Sequence, residues 1–202
     1  MKNIAILLLA AGASSRMRGR DKLMELVGGV PLLSLICSRA AQTGLPCYVM
    51  VPTLDHPRVS ATATAHVVPV PDASEGMAAS IRAGVRALGD NIEAVMILPC
   101  DMPELHTTDL LHLASHFHSS ASPVLRATAS DGTPGHPVLF PRRCFPALSQ
   151  ITGDQGARGL LRSEKVELVS LPCKRAVTDL DTPEAWAEWR ARQCQSDARQ
   201  KQ

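Results

Sequence analysis

The chain has 202 residues, of which 45% are hydrophobic, 20% charged and 3% aromatic, and its formal net charge at pH 7 is +2. This length and balance are typical of one globular domain with an aliphatic core. The small net charge and the scarcity of aromatic rings argue against nucleic acid as a partner, because its recognition needs a basic surface or rings on which bases stack.

Apolar runs that suggest strands alternate along the chain with segments of helical character. The predicted strands cover residues 4–9, 46–51, 66–70, 92–98, 138–140 and 166–171. The predicted helices cover residues 31–43, 76–88, 107–118, 157–162 and 182–195. Since strands spaced by helices form parallel sheets, this order predicts a three-layer, Rossmann-like α/β fold, with a mainly parallel, twisted sheet and helices on both faces. We predict a single domain over residues 1–195 and a disordered tail over residues 196–202.

No stretch of the sequence is long and apolar enough to suggest a membrane span. Lys2 and the apolar run 4–9 imitate the start of a signal peptide, but that run is short for the apolar region of such a peptide. The six cysteines include no C-x-x-C pair, so they do not suggest a zinc site, and their scatter is typical of a reducing compartment. The sequence therefore predicts a cytoplasmic protein without membrane contact.

The segment 10–22, which follows the first predicted strand, combines small residues with cations. Small residues at 10–13 let the backbone approach a ligand closely, and Gly12 has a wider choice of conformations than its neighbours. Arg16 and Lys22 add the forked and the point-like cation that phosphates bind. The segment therefore suggests a phosphate cradle, and the alternative is a basic surface loop. It contains neither G-x-G-x-x-G nor G-x-x-x-x-G-K-[ST].

Two further segments lie at the same predicted edge of the sheet, where ligands bind in parallel α/β folds. Asp101 comes directly after the strand predicted at 92–98 and suits Mg²⁺, which prefers one or two carboxylates together with phosphate and water oxygens. The alternative is an ordinary turn. Gly76 would let the backbone approach a flat ligand, and Ser80 faces the same edge one turn later. The alternative there is helix capping by the preceding acidic and hydroxyl side chains.

The second half of the chain carries weaker signals. His136 lies in a Gly/Pro-rich loop and suits a hydrogen bond to a substrate, although a lone histidine is more often structural. Asp154 and Arg158 lie in a loop that enters a helix, where an anion can bind; the alternative is an ordinary turn.

Asp179 and Asp181 are separated by one residue, so their carboxylates point the same way if the segment is extended. Such a pair suits a cation. The alternative is that Asp181 or Thr182 caps the last predicted helix, which begins with Pro183 in its first turn.

Taken in order, these segments resemble the MobA-like nucleotidyltransferases of molybdenum-cofactor biosynthesis, and most closely the molybdenum cofactor cytidylyltransferase branch. The matching stretches span nearly the whole chain: residues 9–22 (L-A-A-G-A-S-S-R-M-R-G-R-D-K), 76–85, 101–103 (D-M-P), 132–140 (G-T-P-G-H-P-V-L-F), 153–161 and 179–184 (D-L-D-T-P-E). Each motif alone is weak, but six in order are specific. Arg18 departs from the pattern, since the family often has the first glycine of a Gly-Gly pair there. Ala11 stands where guanylyl-transferring relatives usually have glycine, which favours CTP.

The resemblance implies the nucleotide-diphospho-sugar transferase type of fold and the transfer of CMP from CTP to molybdopterin phosphate, with Mg²⁺ or Mn²⁺ as cofactor. It implies as partners a nucleoside triphosphate, a molybdopterin-type small molecule, and the molybdoenzyme that receives the product or its chaperone. The catalytic residues it implies are Arg16, Lys22 and Asp101. The nucleotide-binding residues are these three with Leu9, Ala10, Ala11, Gly12, Gly76 and Ser80. Asp101 and Asp181 would hold the metal, and His136, Asp154 and Arg158 would lie on the acceptor side.

Several alternatives remain open at the level of sequence. One is the guanylyltransferase of the same pathway, and another is a cytidylyl- or uridylyltransferase that acts on a sugar or isoprenoid-precursor phosphate. A non-catalytic nucleotide-binding cofactor chaperone is a third, although the presence of Arg16, Lys22 and Asp101 argues against it. A nicotinamide-dependent oxidoreductase is disfavoured, because the chain lacks the glycine fingerprint that binds the dinucleotide.

Overall fold

The computed structural model describes residues 3–153 and 156–200, with the backbone alone over residues 194–200. Its strands are β1 (Ile4–Leu9), β2 (Leu26–Val27), β3 (Val30–Pro31), β4 (Cys47–Val51), β5 (His66–Pro69), β6 (Ala94–Pro99), β7 (Val124–Thr128), β8 (Pro134–Pro141) and β9 (Val166–Ser170). Its α-helices are α1 (Leu32–Ala41), α2 (Met77–Ala87), α3 (Thr107–Ser115), α4 (Phe145–Leu148), α5 (Arg158–Ser163) and α6 (Pro183–Gln200). Short 3₁₀ turns precede or join several of them, among them Ser15–Met17 and Pro57–Ala61.

Seven of these strands form one sheet in the order β5-β4-β1-β6-β8-β7-β9. β8 runs antiparallel to both of its neighbours, whereas all other pairings in the sheet are parallel. The predicted mainly parallel sheet is therefore confirmed. β2 and β3 form a separate antiparallel pair.

Alternate residues of β1 enter two different hydrophobic clusters, one on each face of the sheet. Ile4, Ile6 and Leu8 pack in the cluster that includes α1, α3 and α6, whereas Leu7 packs in the cluster that includes α2 and α4. Gly84 allows α2 to lie close to β1, because a Cβ at this position would stand 2.6 Å from Leu7 Cδ1. Helices thus cover both faces of the sheet, as the sequence predicts for apolar central strands.

The second half of the chain differs most from the prediction. The strand predicted at 138–140 is the eight-residue β8, and β7 before it was not predicted. A turn joins the two, with the Ala129 amide donating to the Thr133 carbonyl at 2.9 Å. The Gly/Pro-rich segment predicted as a loop is therefore partly strand. The last helix continues to Gln200, beyond the end predicted at 195.

A helix that crosses a bilayer must be both long and apolar, and the structure describes helices within residues 3–153 and 156–200. None of them combines sufficient length with sufficient apolar character.

Candidate functional site

Two adjoining cavities open where β1 and β6 end, at the edge of the sheet where parallel α/β folds bind ligands. The first, here called the loop cavity, measures about 450 Å³ and is lined by the segment after β1 and by the start of α2. The second, here called the strand cavity, measures about 430 Å³ and is lined by β6, β7, β8 and α5. Six residues line both cavities and are here called the shared wall: Arg16, Lys22, Met77, Pro99, Asp101 and Asp181.

The shared wall is held together by three ion pairs between residues far apart in the sequence. The Lys22 ammonium lies 2.5 Å from Asp101 Oδ2 and 2.7 Å from Asp181 Oδ1. Arg16 Nη2 lies 2.6 Å from Asp181 Oδ2. The Leu180 amide donates to the Asp101 carbonyl at 3.0 Å, so the backbone itself keeps the two carboxylates side by side. These contacts place the predicted catalytic and metal-binding residues in one cluster.

The charges of this cluster reinforce one another. Burial acts to lower the pKa of Lys22, but the charges and hydrogen bonds of Asp101 and Asp181 outweigh it, and the pKa is raised. Burial acts to raise the pKa of Asp181, but its contacts with Lys22 and the charge of Arg16 outweigh that effect, and the pKa is lowered. Lys22 and Asp181 therefore both remain charged near neutral pH. Desolvation and the charge of Asp101 raise the pKa of Asp179, although its side chain is solvent-exposed.

The two carboxylates of the shared wall fit a divalent cation. Asp101 Oδ1 is buried and has no hydrogen-bond partner among the described residues, while Asp101 Oδ2 and Asp181 Oδ1 converge on one ammonium group. Within the described part of the chain, no group of three or more His, Cys, Asp and Glu side chains is arranged to hold a metal. Two carboxylates suffice for Mg²⁺ when phosphate and water complete its shell.

Asp181 does not cap the last helix in this structure. The cap of α6 is Thr182, whose hydroxyl oxygen accepts a hydrogen bond from the Ala185 amide at 3.2 Å. The Asp181 carboxylate contacts Lys22 and Arg16 instead. Of the two alternatives for capping, the structure therefore selects Thr182 and leaves Asp181 available to the cavities.

Sequence reasoning missed Arg58, which holds the loop between β1 and Lys22 in place. Its side chain is 3% exposed, and its guanidinium donates to the carbonyls of Ala10 at 2.5 Å and Gly12 at 2.8 Å. It also donates to both oxygens of Asp21 at 2.7 Å and to Ser14 Oγ at 3.0 Å. One buried cation thus joins the start of the loop to its end.

Hydrogen bonds to Asp21 and Ser14, both bound by Arg58, fix the backbone around Lys22. Asp21 Oδ1 accepts a hydrogen bond from the Leu23 amide at 3.0 Å, and Ser14 Oγ accepts one from the Lys22 amide at 3.3 Å. Burial acts to raise the pKa of Asp21, but the hydrogen bonds and charge of Arg58 outweigh it and lower the pKa. Sequence reasoning could have considered residues 52–62 because they follow a predicted strand, but only the structure shows that this strand, β4, lies beside β1 and brings Arg58 to the loop.

Replacing Arg58 with alanine is expected to lower the free energy of unfolding by about 2 kcal/mol, because it leaves buried carbonyls and the Asp21 carboxylate without their partner. The loop between β1 and Lys22 should also loosen, which should raise the KM for the nucleotide that the resemblance implies. Urea unfolding and steady-state kinetics would measure the two effects. Arg86→Ala, which removes an exposed arginine of α2, is the matched control. Unchanged stability and unchanged KM would contradict this role.

Arg18, the residue that departs from the family pattern, adopts a left-handed conformation with φ 53° and ψ 48°. Gly19 follows with φ 85°. Glycine adopts this conformation without strain, as the glycine expected here from the resemblance would, whereas an L-residue costs about 1–2 kcal/mol. The 2.6 Å pair between Arg18 and Glu184 is solvent-exposed and offsets little of that cost. Gly12, in contrast, has no positive φ.

The loop cavity brings together most of the predicted nucleotide-binding residues. Apart from those of the shared wall, the predicted residues that line it are Leu9, Ala11, Gly12, Gly76 and Ser80. Gly76 has φ 106° and ψ −158° at the start of α2, a conformation that requires glycine. Ala10 does not line the cavity: it is fully buried, and its carbonyl faces Arg58.

The strand cavity contains His136 and Arg158, which the resemblance assigns to the acceptor side, together with Arg126, which was not predicted. Gly135 must be glycine, because a Cβ there would stand 1.8 Å from the Ala176 carbonyl oxygen. Burial, with the charges of Arg126 and Arg158, lowers the pKa of His136 to about 4, so its ring is neutral at pH 7. Asp154, the remaining predicted residue, lies outside the described residues.

The sequence of this chain is similar to those of a known protein family. The family model of the MobA-like NTP transferase domain matches residues 6–168. A curated relative from Nostoc sp. (strain PCC 7120), named probable molybdenum cofactor guanylyltransferase, is 29% identical over 189 residues. The alignment covers 91% of this chain and 89% of the relative.

Solved structures show the same fold. The crystal structure of Rv0371c from Mycobacterium tuberculosis H37Rv aligns with a TM-score of 0.80 at 23% identity, over 93% of this chain and 97% of that one. A structure of Rv0371C in complex with manganese aligns with a TM-score of 0.77 at 22% identity, with the same two coverages. The sheet described above is thus the nucleotide-diphospho-sugar transferase fold that the resemblance implied.

Proposed function

Because this chain belongs to the MobA-like NTP transferase family, we propose that it is a nucleotidyltransferase that transfers CMP from CTP to the phosphate of a molybdopterin-type acceptor and releases pyrophosphate. The observation that carries this proposal is the shared wall. One charged cluster faces two cavities, so a nucleotide in the loop cavity and an acceptor in the strand cavity would meet there. The product would then pass to the receiving molybdoenzyme or to its chaperone.

The proposed reaction needs little acid–base chemistry. An oxygen of the acceptor phosphate attacks the α-phosphorus of CTP, the bond from that phosphorus to the bridging oxygen breaks, and pyrophosphate leaves with the electron pair. A phosphate monoester is already dianionic near neutral pH, since its second pKa is about 6, so no general base is required. The barrier lies in bringing two anions together, which calls for positioning and electrostatic stabilisation.

The residues of the loop cavity suit the nucleotide. Backbone groups of Leu9 and of residues 11–13, with the side chain of Arg16, would surround the triphosphate, and Gly76 and Ser80 would line the base. Lys22, at the shared wall, would contact the phosphate at which the new bond forms. Arg58 would act only indirectly, by fixing the backbone on which these groups stand.

Asp101 and Asp181 would hold Mg²⁺ or Mn²⁺ at the shared wall. When bound, such an ion supplies positive charge against the phosphates. The support is the unpartnered Oδ1 of Asp101, the convergence of the two carboxylates, and the manganese present in one structural neighbour. In this structure the Lys22 ammonium lies between the two carboxylates. With a metal ion bound to them, Lys22 would be free to turn toward the phosphates.

Two nucleotides compete as the proposed substrate. Ala11 lines the loop cavity with a methyl group where guanylyl-transferring relatives usually have none, which narrows the space for a base and favours cytosine. GTP is the second candidate, because the relative from Nostoc is named a guanylyltransferase. CTP is the first candidate because Ala11 is among the residues that line this cavity.

Pyrophosphate release with each of the four nucleoside triphosphates, with and without molybdopterin, tests the proposed function. We expect release only with the acceptor present and at least tenfold faster with CTP than with GTP, since a fitted pocket discriminates by roughly that factor or more. Equal use of both nucleotides would contradict the CTP assignment. Release that does not depend on molybdopterin would contradict the acceptor.

Asp181→Asn is expected to raise the Mg²⁺ concentration needed for half-maximal activity by about tenfold or more, because even partners outside the direct ligands contribute about 10- to 100-fold to metal affinity. The cap of α6 should survive, because Thr182 forms it. Turnover at increasing Mg²⁺, together with thermal unfolding, measures both effects. A variant with altered stability and an unchanged Mg²⁺ requirement would reduce Asp181 to a structural residue.

A further inference from the structure

Two arginines of the strand cavity have no carboxylate partner among the described residues. Arg16 and Lys22, the other cations that line the cavity, pair with Asp181 and Asp101. No ion pair of this kind joins Arg126 or Arg158 to a described carboxylate, and each acts on the pKa of His136 through its charge. The cavity therefore contains two cations whose charges the described part of the chain does not neutralise.

Arg126 is held in a defined position. It lies on β7, and its Nε donates to the Gly135 carbonyl at 3.1 Å, with a longer contact of 3.4 Å from Nη2 to the Pro134 carbonyl. Both acceptors belong to β8, the strand beside it. A guanidinium has five N–H donors, so these two bonds leave donors available toward the cavity. Neutral carbonyls orient the group without cancelling its charge.

The environment of Arg126 is unfavourable for an unpaired cation. Burial and the charge of Arg158 both lower the pKa of Arg126. Much of the surrounding lining is apolar, with Ile81, Ile97, Val138, Phe140 and Leu161 among its members. Arg126 is partly buried, so an anion that pairs with it would offset its partial loss of water, and the charge of Arg158, which lowers its pKa, adds a repulsion that the same anion would relieve. The missing partner is therefore expected to come with the ligand.

The two arginines stand apart from the point of reaction. Arg126 and Arg158 line only the strand cavity, whereas the residues of the shared wall line both cavities. The pKa of His136 is affected by the charge of Asp101, at the shared wall, as well as by the charges of Arg126 and Arg158. An acceptor whose phosphate lies at the shared wall would thus extend past a neutral His136 and apolar side chains toward the arginines.

We infer that the strand cavity binds an acceptor with two anionic groups: one is the phosphate that reacts at the shared wall, and the other is bound at the far end by Arg126 with Arg158. This inference rests on the proposed function, since it takes the strand cavity as the acceptor site. It assigns to Arg126 the recognition of the acceptor rather than of the nucleotide.

Kinetics with CTP and molybdopterin test the inference in the full-length enzyme. Arg126→Ala should raise the KM for the acceptor about 10- to 100-fold, as the loss of a charged hydrogen-bonding partner does, and leave the KM for CTP unchanged. Arg126→Lys should restore part of the affinity, because it keeps the charge and loses the fork. Arg86→Ala, an exposed arginine on α2, should change neither constant. An unchanged acceptor KM in Arg126→Ala would overturn the inference.

A binding measurement separates this inference from the proposed function. Calorimetric titration of the enzyme, saturated with a non-hydrolysable CTP analogue, uses inorganic phosphate as the probe. We expect the wild type to bind phosphate at the shared wall and at the arginines, and Arg126→Ala to lose the second site. Should molybdopterin fail as acceptor while this difference persists, the proposed function fails and the anion site stands. Phosphate binding that is the same with and without Arg126 overturns the site.

A second variant, Arg158→Ala, tests the inference if Arg126→Ala fails to fold. Arg158→Ala changes an exposed side chain at the start of α5, where little depends on it for packing. It should weaken the same phosphate site and raise the same acceptor KM, by a smaller factor than Arg126→Ala. If Arg126→Ala does not fold and Arg158→Ala behaves as wild type, the inference is overturned.

Discussion

Lys22→Ala is expected to lower turnover by ~10²–10³-fold, the effect of removing one preorganised group that stabilises transition-state charge. Its ammonium lies at the shared wall, within 2.7 Å of two carboxylates, and Lys22 lines both cavities. No other lysine lines either cavity within the described residues. Charge that develops as pyrophosphate leaves would therefore lose its nearest mobile cation. Turnover by pyrophosphate release, at saturating nucleotide, measures the effect.

The fold should survive this substitution. The loop that carries Lys22 is held by Arg58 and Asp21 through other groups, including the Leu23 amide. Lys165→Ala, an exposed lysine outside both cavities, is the matched control and should retain wild-type turnover and melting temperature. Near-normal turnover in Lys22→Ala would remove Lys22 from the proposed mechanism.

Asp101→Asn is expected to reduce turnover by ~10²-fold or more, because it removes one of the two charges proposed to hold the metal and leaves the shape of the side chain intact. The backbone tie to residue 180 uses the carbonyl of residue 101, so the substitution does not disturb it. The requirement for Mg²⁺ or Mn²⁺ should shift to higher concentration. Turnover titrated with each ion measures both changes.

The control for Asp101→Asn is Asp90→Asn, which removes the same charge from a fully exposed side chain whose pair with Arg142 is long, at 3.4 Å. It should change neither turnover nor the metal requirement. If Asp101→Asn kept its activity, or lost it with no change in the response to metal, the proposed metal site would have to be abandoned.

The sequence was sufficient for the elements whose local pattern is unambiguous. The run Ile4–Leu9 is apolar on every residue, and it is the buried central strand that the pattern predicts. Boundaries of α1, α2 and α3 agree with prediction to within a few residues. β7 was not predicted because Arg126 interrupts its short run of apolar residues. A charged residue in the middle of a strand is explained only when the cavity beside it is known.

The site was predicted as a set of segments, and the structure shows which of them meet. Arg16, Lys22, Asp101 and Asp181 were each singled out from their own surroundings, and all four lie in one wall. The alternative in which Asp181 caps a helix could not be excluded from sequence, because aspartate and threonine at consecutive positions are both good caps. Only the hydrogen bond from the Ala185 amide to Thr182 separates them.

By itself, the sequence determined the class of fold, the edge of the sheet at which the candidate site lies and the types of residue that we propose to serve phosphate and metal there, because these depend on local pattern and on strand order. The tertiary structure alone decided the juxtapositions. The antiparallel insertion of β8, the support of the loop by Arg58, and the placement of Arg126 in the strand cavity all join residues distant in sequence. Such contacts depend on how the chain packs, and no local pattern encodes them.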